Sequence, residues 1–172
     1  MDELGNDIGA DMKKDRQIAE EYLLNYARIS KEYAAAKEDY LNSTPATSAA
    51  GGKSNLPGAP TEAKALRGAR YDEANASYLW LRSVEVALKT LGERKNIFIR
   101  VRREADQHNS KSCARGRRPW VIYTQRRYGE EIKKRFLSAQ WLSEDTTRRW
   151  WREIVGRVVE IHLRISAKNN IR

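Results

Sequence analysis

Apolar residues recur every three or four positions along most of the chain, which is the spacing of one face of an α-helix. In the first such stretch, which begins near Met12, the stripe consists mainly of tyrosines: Ile18, Tyr22, Tyr26, Ile29, Tyr33, Ala36 and Tyr40. The shortage of leucines favours a single amphipathic helix that packs on the rest of the chain. The alternative is a coiled-coil arm that forms a homodimer through residues 15–41.

The helical pattern stops in residues 43–61, which are rich in small residues, glycine and proline and cannot sustain a helix. This segment is predicted to link an acidic N-terminal helix, residues 1–42, to a helical domain, residues 62–172. Its Gly51-Gly52-Lys53-Ser54 resembles the end of a phosphate-binding loop. That motif requires a further glycine where Thr47 stands, and a buried strand before it, so no nucleotide site is expected.

Helical periodicity resumes near Glu62, is strong from Tyr71 and ends at Gly92. The basic stretch that follows is also predicted to be a helix. Its residues 97–101 alternate as a strand would, but no second strand lies nearby to pair with them. Residues 107–119 are predicted to form a polar, basic loop.

Two further helices are predicted near the end of the chain, and together they form a helix-turn-helix at about residues 124–165. The first runs over 125–136 with Thr124 as its N-cap, and the second is capped by Ser143 and runs to about Ile165. The buried stripe of the second helix is predicted to be Trp151, Ile154, Val155, Val158 and Ile161. Trp150 and Trp151 are assigned to the core, where they would pack with Phe136, Trp141 and Ile154. The predicted fold class is therefore all-α.

Charge is distributed unevenly along the sequence. Residues 94–172 contain twenty-one Lys and Arg against eight Asp and Glu, a net of +13, whereas residues 1–61 contain seven against ten, a net of −3. Such an excess on one domain indicates a polyanionic partner, and with a helix-turn-helix that partner is double-stranded DNA.

The helix-turn-helix pattern assigns roles to individual residues, because the second helix enters the major groove with its N-terminal end first. The predicted base-reading residues are Glu144, Asp145, Thr146, Arg148 and Arg149. The predicted contacts to the DNA backbone are Arg126, Arg127, Lys133, Lys134, Arg152, Arg117 and Arg118.

The composition also argues against several other functions. The chain has one cysteine, Cys113, and two distant histidines, so neither a disulfide nor a structural metal site is expected, and no cofactor is implied. The carboxylates of the basic half are scattered, which argues against an enzyme such as a nuclease. No apolar run is long enough to cross a membrane, and a cytoplasmic protein is expected.

Two motifs resemble those of a known family. Residues 51–61, GGKSNLPGAPT, resemble the linker motif of RinA-type phage transcriptional activators, and residues 143–155, SEDTTRRWWREIV, resemble the recognition helix of their sigma-factor region-four-like unit. The resemblance covers roughly residues 12–165. It implies an activator of late or packaging genes of a phage or prophage that acts in a bacterial cytoplasm on a promoter of the host RNA polymerase.

Two alternatives remain open from the sequence. One is a DNA-packaging protein like the small subunit of a phage terminase, which also combines a helix-turn-helix with an oligomerising helix. The other is a sigma-like factor that binds the host RNA polymerase. The mass of the native assembly separates the first from a regulator, because packaging subunits assemble into rings.

Overall fold

In the computed structural model of the chain, residues 3–43, 60–111, 120–137 and 141–169 are described, with side chains from residue 11 onward except for 60, 61 and 109–111. These residues form seven α-helices and no strand, which confirms the all-α prediction. The helices are α1 (Glu3–Leu24), α2 (Tyr26–Asn42), α3 (Pro60–Ala74), α4 (Ala76–Thr90), α5 (Glu93–Lys111), α6 (Trp120–Phe136) and α7 (Glu144–Asn169).

Asparagines interrupt two stretches that the sequence predicts as continuous helices. Asn25 separates α1 from α2, and Asn75 separates α3 from α4 with an extended backbone (φ −107°, ψ 110°). The Asn75 side chain accepts a hydrogen bond of 3.0 Å from the backbone N–H of Ser77 and so caps α4. Asparagine favours a break of the Asn75 kind because its amide competes with the helix for backbone partners, whereas the Asn25 side chain makes no capping hydrogen bond. The prediction of one N-terminal helix was therefore wrong.

Three other predicted helix boundaries also differ. Helix α6 begins at Trp120, so Thr124 lies buried inside the helix and is not its N-cap. Helix α5 continues to Lys111, into the segment predicted as a loop, and α3 begins at Pro60, within the predicted linker. Most of the linker, residues 44–59, and most of the basic loop, residues 112–119, lie outside the described residues.

Helix α7 lies at the centre of the core and packs against α4, α1 and α6. Its predicted stripe is confirmed, since Trp151, Ile154, Val155, Val158 and Ile161 are all buried. The other helices contribute the residues that cover this stripe: Ala19, Leu23, Trp80, Val84, Ala87, Phe98, Val101, Tyr128 and Ile132. The exposed side of α7 is thereby held on a rigid, well-packed support.

Helix α1 belongs to this core and is not a separate arm. The indole Nε1 of Trp151 donates a hydrogen bond of 2.7 Å to Glu20, and the buried guanidinium of Arg102 lies between the rings of Trp120 and Trp151. At the end of α1, Arg103 donates a 2.6 Å hydrogen bond to the carbonyl oxygen of Leu23, one of the carbonyls that a helix terminus leaves without a partner. The N-terminal helix is thus fixed to both α5 and α7.

Helices α2 and α3 form a hairpin that contacts α4, and α2 itself contains no buried residue. The tyrosines of the predicted stripe line this hairpin. Tyr33 donates a hydrogen bond to Asp72, Lys37 approaches the same carboxylate at 2.7 Å, and the ring of Tyr33 packs on those of Tyr71 and Tyr78. Burial raises the pKa of the Tyr33 hydroxyl, so it remains a donor. The tyrosine stripe therefore pairs within the chain, and the homodimer through residues 15–41 stays a prediction.

No helix among the described residues has the length and apolar character needed to cross a membrane.

Candidate nucleic-acid interface

The site begins at the N-terminus of α7, where Ser143 is the cap that the sequence predicts. Its Oγ accepts a hydrogen bond of 3.1 Å from the backbone N–H of Thr146, and its carbonyl oxygen accepts one of 2.8 Å from the hydroxyl of Thr147. Glu144 and Asp145 lie in the first turn, where carboxylates are favoured by the helix dipole. This network fixes the orientation of the first two turns.

Four of the five predicted base-reading residues are exposed on these turns, and Thr146 is half-buried. Asp145, Arg149 and Arg152 follow at spacings of four and three, so they form one row on the outer side of the helix. This side lies opposite the buried stripe.

The two arginines that are predicted to contact bases, Arg148 and Arg149, each lie near a carboxylate one turn away on α7. Arg148 donates to one oxygen of Glu144 through Nε at 3.0 Å and Nη2 at 2.7 Å. Arg149 lies 3.8 Å from Glu153, which also accepts a 3.1 Å hydrogen bond from Lys95 of α5. Both guanidinium groups remain exposed, so these pairs restrict the arginine rotamers without burying the charge.

The predicted backbone contacts fall into two groups. Lys133, Lys134 and Arg152 are exposed and have no acidic partner among the described residues. Arg126 is exposed but pairs with Glu130 at 3.3 Å, and Arg127 is bound by several carboxylates. The first group offers positive charge to a phosphate directly, whereas the second must first exchange an internal partner. Arg117 and Arg118 lie outside the described residues.

Arg127 has a structural role that the sequence did not reveal. It contacts Glu130 at 2.9 Å, Glu131 at 3.6 Å and Glu104 of the neighbouring helix α5 at 3.5 Å. The hydrogen bond to Glu130 raises the pKa of Arg127, and the same bond lowers the pKa of Glu130. Two of these three contacts, including the shortest, lie within α6, and the contact to Glu104 links the same guanidinium to α5.

Further ion pairs connect α5 and α6 in antiparallel order. Arg100 lies 2.6 Å from Glu131, and Arg135 lies 2.6 Å from Glu93. Most carboxylates of the basic half are thus engaged with arginines of the same chain. Among the described residues, Lys133 and Lys134 at the end of α6 and Arg152 on α7 are the predicted backbone contacts left without a carboxylate partner.

Trp151 is a buried core residue, as the sequence predicts, whereas Trp150 is half-buried against the core, and the neighbours of both differ from the prediction. Trp151 is buried beside Trp120, and Trp150 packs edge-on against Phe98 and Tyr128. Trp141, which the sequence analysis placed in the same core, is 68% exposed. Its ring lies over Gly129 of α6, where an added Cβ would come within 3.2 Å of it. Because Gly129 has no side chain, the indole of Trp141 can lie directly against α6.

The described residues do not cluster metal ligands. They contain no group of three or more His, Cys, Asp or Glu side chains that could hold a metal ion. A groove of about 680 Å³ between α2 and α3 has Asp72 as its carboxylate, but that group is already bonded to Tyr33 and Lys37.

Comparison of the chain with protein-family models, curated proteins and solved structures finds no match.

Proposed function

We propose that the protein is a sequence-specific DNA-binding regulator of transcription that inserts the N-terminal turns of α7 into the major groove. The observation that carries this proposal is the exposed row of Asp145, Arg149 and Arg152, which begins at the Ser143 cap and lies opposite the buried stripe. Arginine recognises guanine through paired donors, and an acidic side chain accepts from cytosine. Side chains on the first turns of α7 are therefore suited to contact bases in the major groove.

The surrounding charges support duplex DNA as the partner. Lys133 and Lys134 at the end of α6, together with Arg152, can neutralise phosphates without giving up an internal ion pair. Contacts of this type position a protein on the duplex, and base contacts then provide sequence preference. To bind bases, Arg148 would have to release Glu144, to which it donates two hydrogen bonds, whereas Arg149 lies 3.8 Å from Glu153 and is less tightly paired.

The finer assignment is an activator of phage or prophage genes, similar to the RinA type, with a sigma region-four-like pair formed by α6 and α7. It is supported by the linker motif of residues 51–61 and the recognition-helix motif of residues 143–155. Action on a host RNA polymerase promoter in a bacterial cytoplasm belongs to this proposal.

The decisive experiment is enrichment of bound sequences from a random duplex pool with the full chain. We expect a defined motif, on which Arg149→Ala loses about 1–3 kcal/mol of binding free energy but loses much less on random DNA. Lys133→Ala should weaken binding to all sequences alike and reduce the salt dependence of log K by about 0.9. Absence of a motif, or equal losses for both variants on both DNAs, would contradict sequence reading and favour a packaging role.

A further inference from the structure

Trp141 is the feature of the described surface that the fold leaves unexplained. The two tryptophans Trp80 and Trp151 are buried, Trp120 and Trp150 are half-buried, and Trp141 alone in the described chain exposes most of its ring. An indole is one of the largest apolar groups available to a protein, so exposing it forgoes a substantial gain from burial.

One side of the Trp141 ring packs against α6. Its inner edge rests against Gly129 in the middle of α6, and the carbonyl oxygen of the next residue, Leu142, accepts a 2.8 Å hydrogen bond from the side chain of Gln125. Leu142 itself is buried. The backbone beside Trp141 is thus anchored, and the outer side of the indole faces solvent two residues before the Ser143 cap.

In the described part of the chain, the unpaired charge beside this ring is that of Lys133, because Arg126 on the same side is paired with Glu130 at 3.3 Å. Arg126 lies three residues before Gly129 and Lys133 lies four after it, so both share the side of α6 on which the indole rests. Lys133 is exposed and has no acidic partner among the described residues. An exposed aromatic ring beside an exposed lysine, just before the first turn of α7, complements a polyanion with apolar sugar groups.

We propose that Trp141 is a DNA-contacting residue, which packs its outer face on the sugar-phosphate backbone at the edge of the groove beside Lys133. Its ring can cover a deoxyribose while the indole N–H donates to a phosphate oxygen, a combination that suits an amphipathic side chain. This inference rests on the proposed function, and it adds a contact that does not depend on base sequence.

The first test uses the fluorescence of the intact protein. Acrylamide quenches exposed tryptophans, so the strongly quenched part of the emission should come from Trp141 and disappear in Trp141→Phe. Adding a short duplex of mixed sequence at low salt should protect this part from quenching. Continued quenching of Trp141 while a dye on the DNA reports full binding would overturn the inference and leave the proposed function intact.

The second test measures binding of the same duplex over a range of salt concentrations. Trp141→Ala should weaken binding by about tenfold, which corresponds to about 1.4 kcal/mol, and Trp141→Phe should lose less because it keeps the ring. Neither variant should change the slope of log K against log salt, because no charge is removed, whereas Lys133→Ala should reduce it by about 0.9. Leu163→Ala, which removes an exposed apolar side chain far along α7, is the matched control.

The outcomes separate the two proposals. Wild-type protein that binds neither mixed nor enriched duplexes contradicts the proposed function, and the inference fails with it. Wild-type protein that binds normally, with Trp141→Ala equal to wild type at every salt concentration, contradicts the inference alone.

Discussion

Replacing Glu20 with alanine is expected to lower the free energy of unfolding by about 2–3 kcal/mol, because it removes the acceptor that joins α1 to α7. The indole N–H of Trp151 would lose its 2.7 Å partner in a buried position, where a lost hydrogen bond to a charged group costs about 1.5–3 kcal/mol. The more distant charge of Arg102, 3.9 Å away, adds only about 0.5 kcal/mol, since the Glu20 side chain is 42% exposed and screened by water.

Urea unfolding followed by circular dichroism measures this loss, and two variants calibrate it. Glu20→Gln keeps an oxygen that can accept from Trp151, so it should lose only about 1 kcal/mol, because hydrogen bonds to ionised groups are roughly twice as strong as neutral ones. Glu21→Ala is the matched control. Its side chain is exposed on the adjacent position of α1, and its effect should stay within about 0.5 kcal/mol.

A double-mutant cycle isolates the interaction itself. Combining Glu20→Ala with Trp151→Phe should cost less than the two single changes together, by about 1.5 kcal/mol or more, since the phenylalanine variant has already lost the donor. Additive effects, or a Glu20→Ala protein as stable as the Glu21→Ala control, would refute the role of this bond in docking α1.

Three further variants test other parts of the fold. Ser143→Ala should cost about 1 kcal/mol in urea unfolding, because the N–H of Thr146 loses its acceptor, and it should also lower DNA affinity. Gly156→Ala should add about 0.5–1 kcal/mol to the unfolding free energy, since a Cβ at that helical position meets no atom within 4 Å; a loss of stability would contradict this. Burial lowers the pKa of His162, which stacks on Trp80, below 6.5, so the unfolded chain binds a proton more readily. The unfolding free energy should therefore fall as the pH drops below about 6.5, and His162→Gln, with the same pH series, should remove that part of the decrease.

The sequence predicts the elements whose causes are local. The stripe of α7 follows from spacing alone, and Ser143 is a cap because its hydroxyl reaches an N–H only three residues ahead. The helical state of residues 97–101 follows from the lack of a partner strand. These features depend on neighbours in sequence, so they can be derived without the fold.

Features that depend on distant residues could not be derived in this way. The contact of Trp141 with Gly129 and the contact of Arg127 with Glu104 each join residues that lie apart in the sequence. The breaks at Asn25 and Asn75 interrupt stripes that continue on either side, so periodicity alone passes over them. The sequence identifies the arginines and lysines that are candidates to contact DNA, but it does not show which of them already form ion pairs with carboxylates of the same chain.

The bond between Glu20 and Trp151 joins residues 131 positions apart, and this separation has a consequence for synthesis of the protein. A ribosome adds about 5–20 residues per second, so on the order of ten seconds pass between the appearance of the two partners. Helices α4 and α5, which also contact α1, are synthesised earlier, so during this interval Ala19 and Leu23 lack the part of their covering surface that α7 supplies. We therefore expect the chain to be most prone to aggregation, or to capture by chaperones, while α7 has not yet been synthesised.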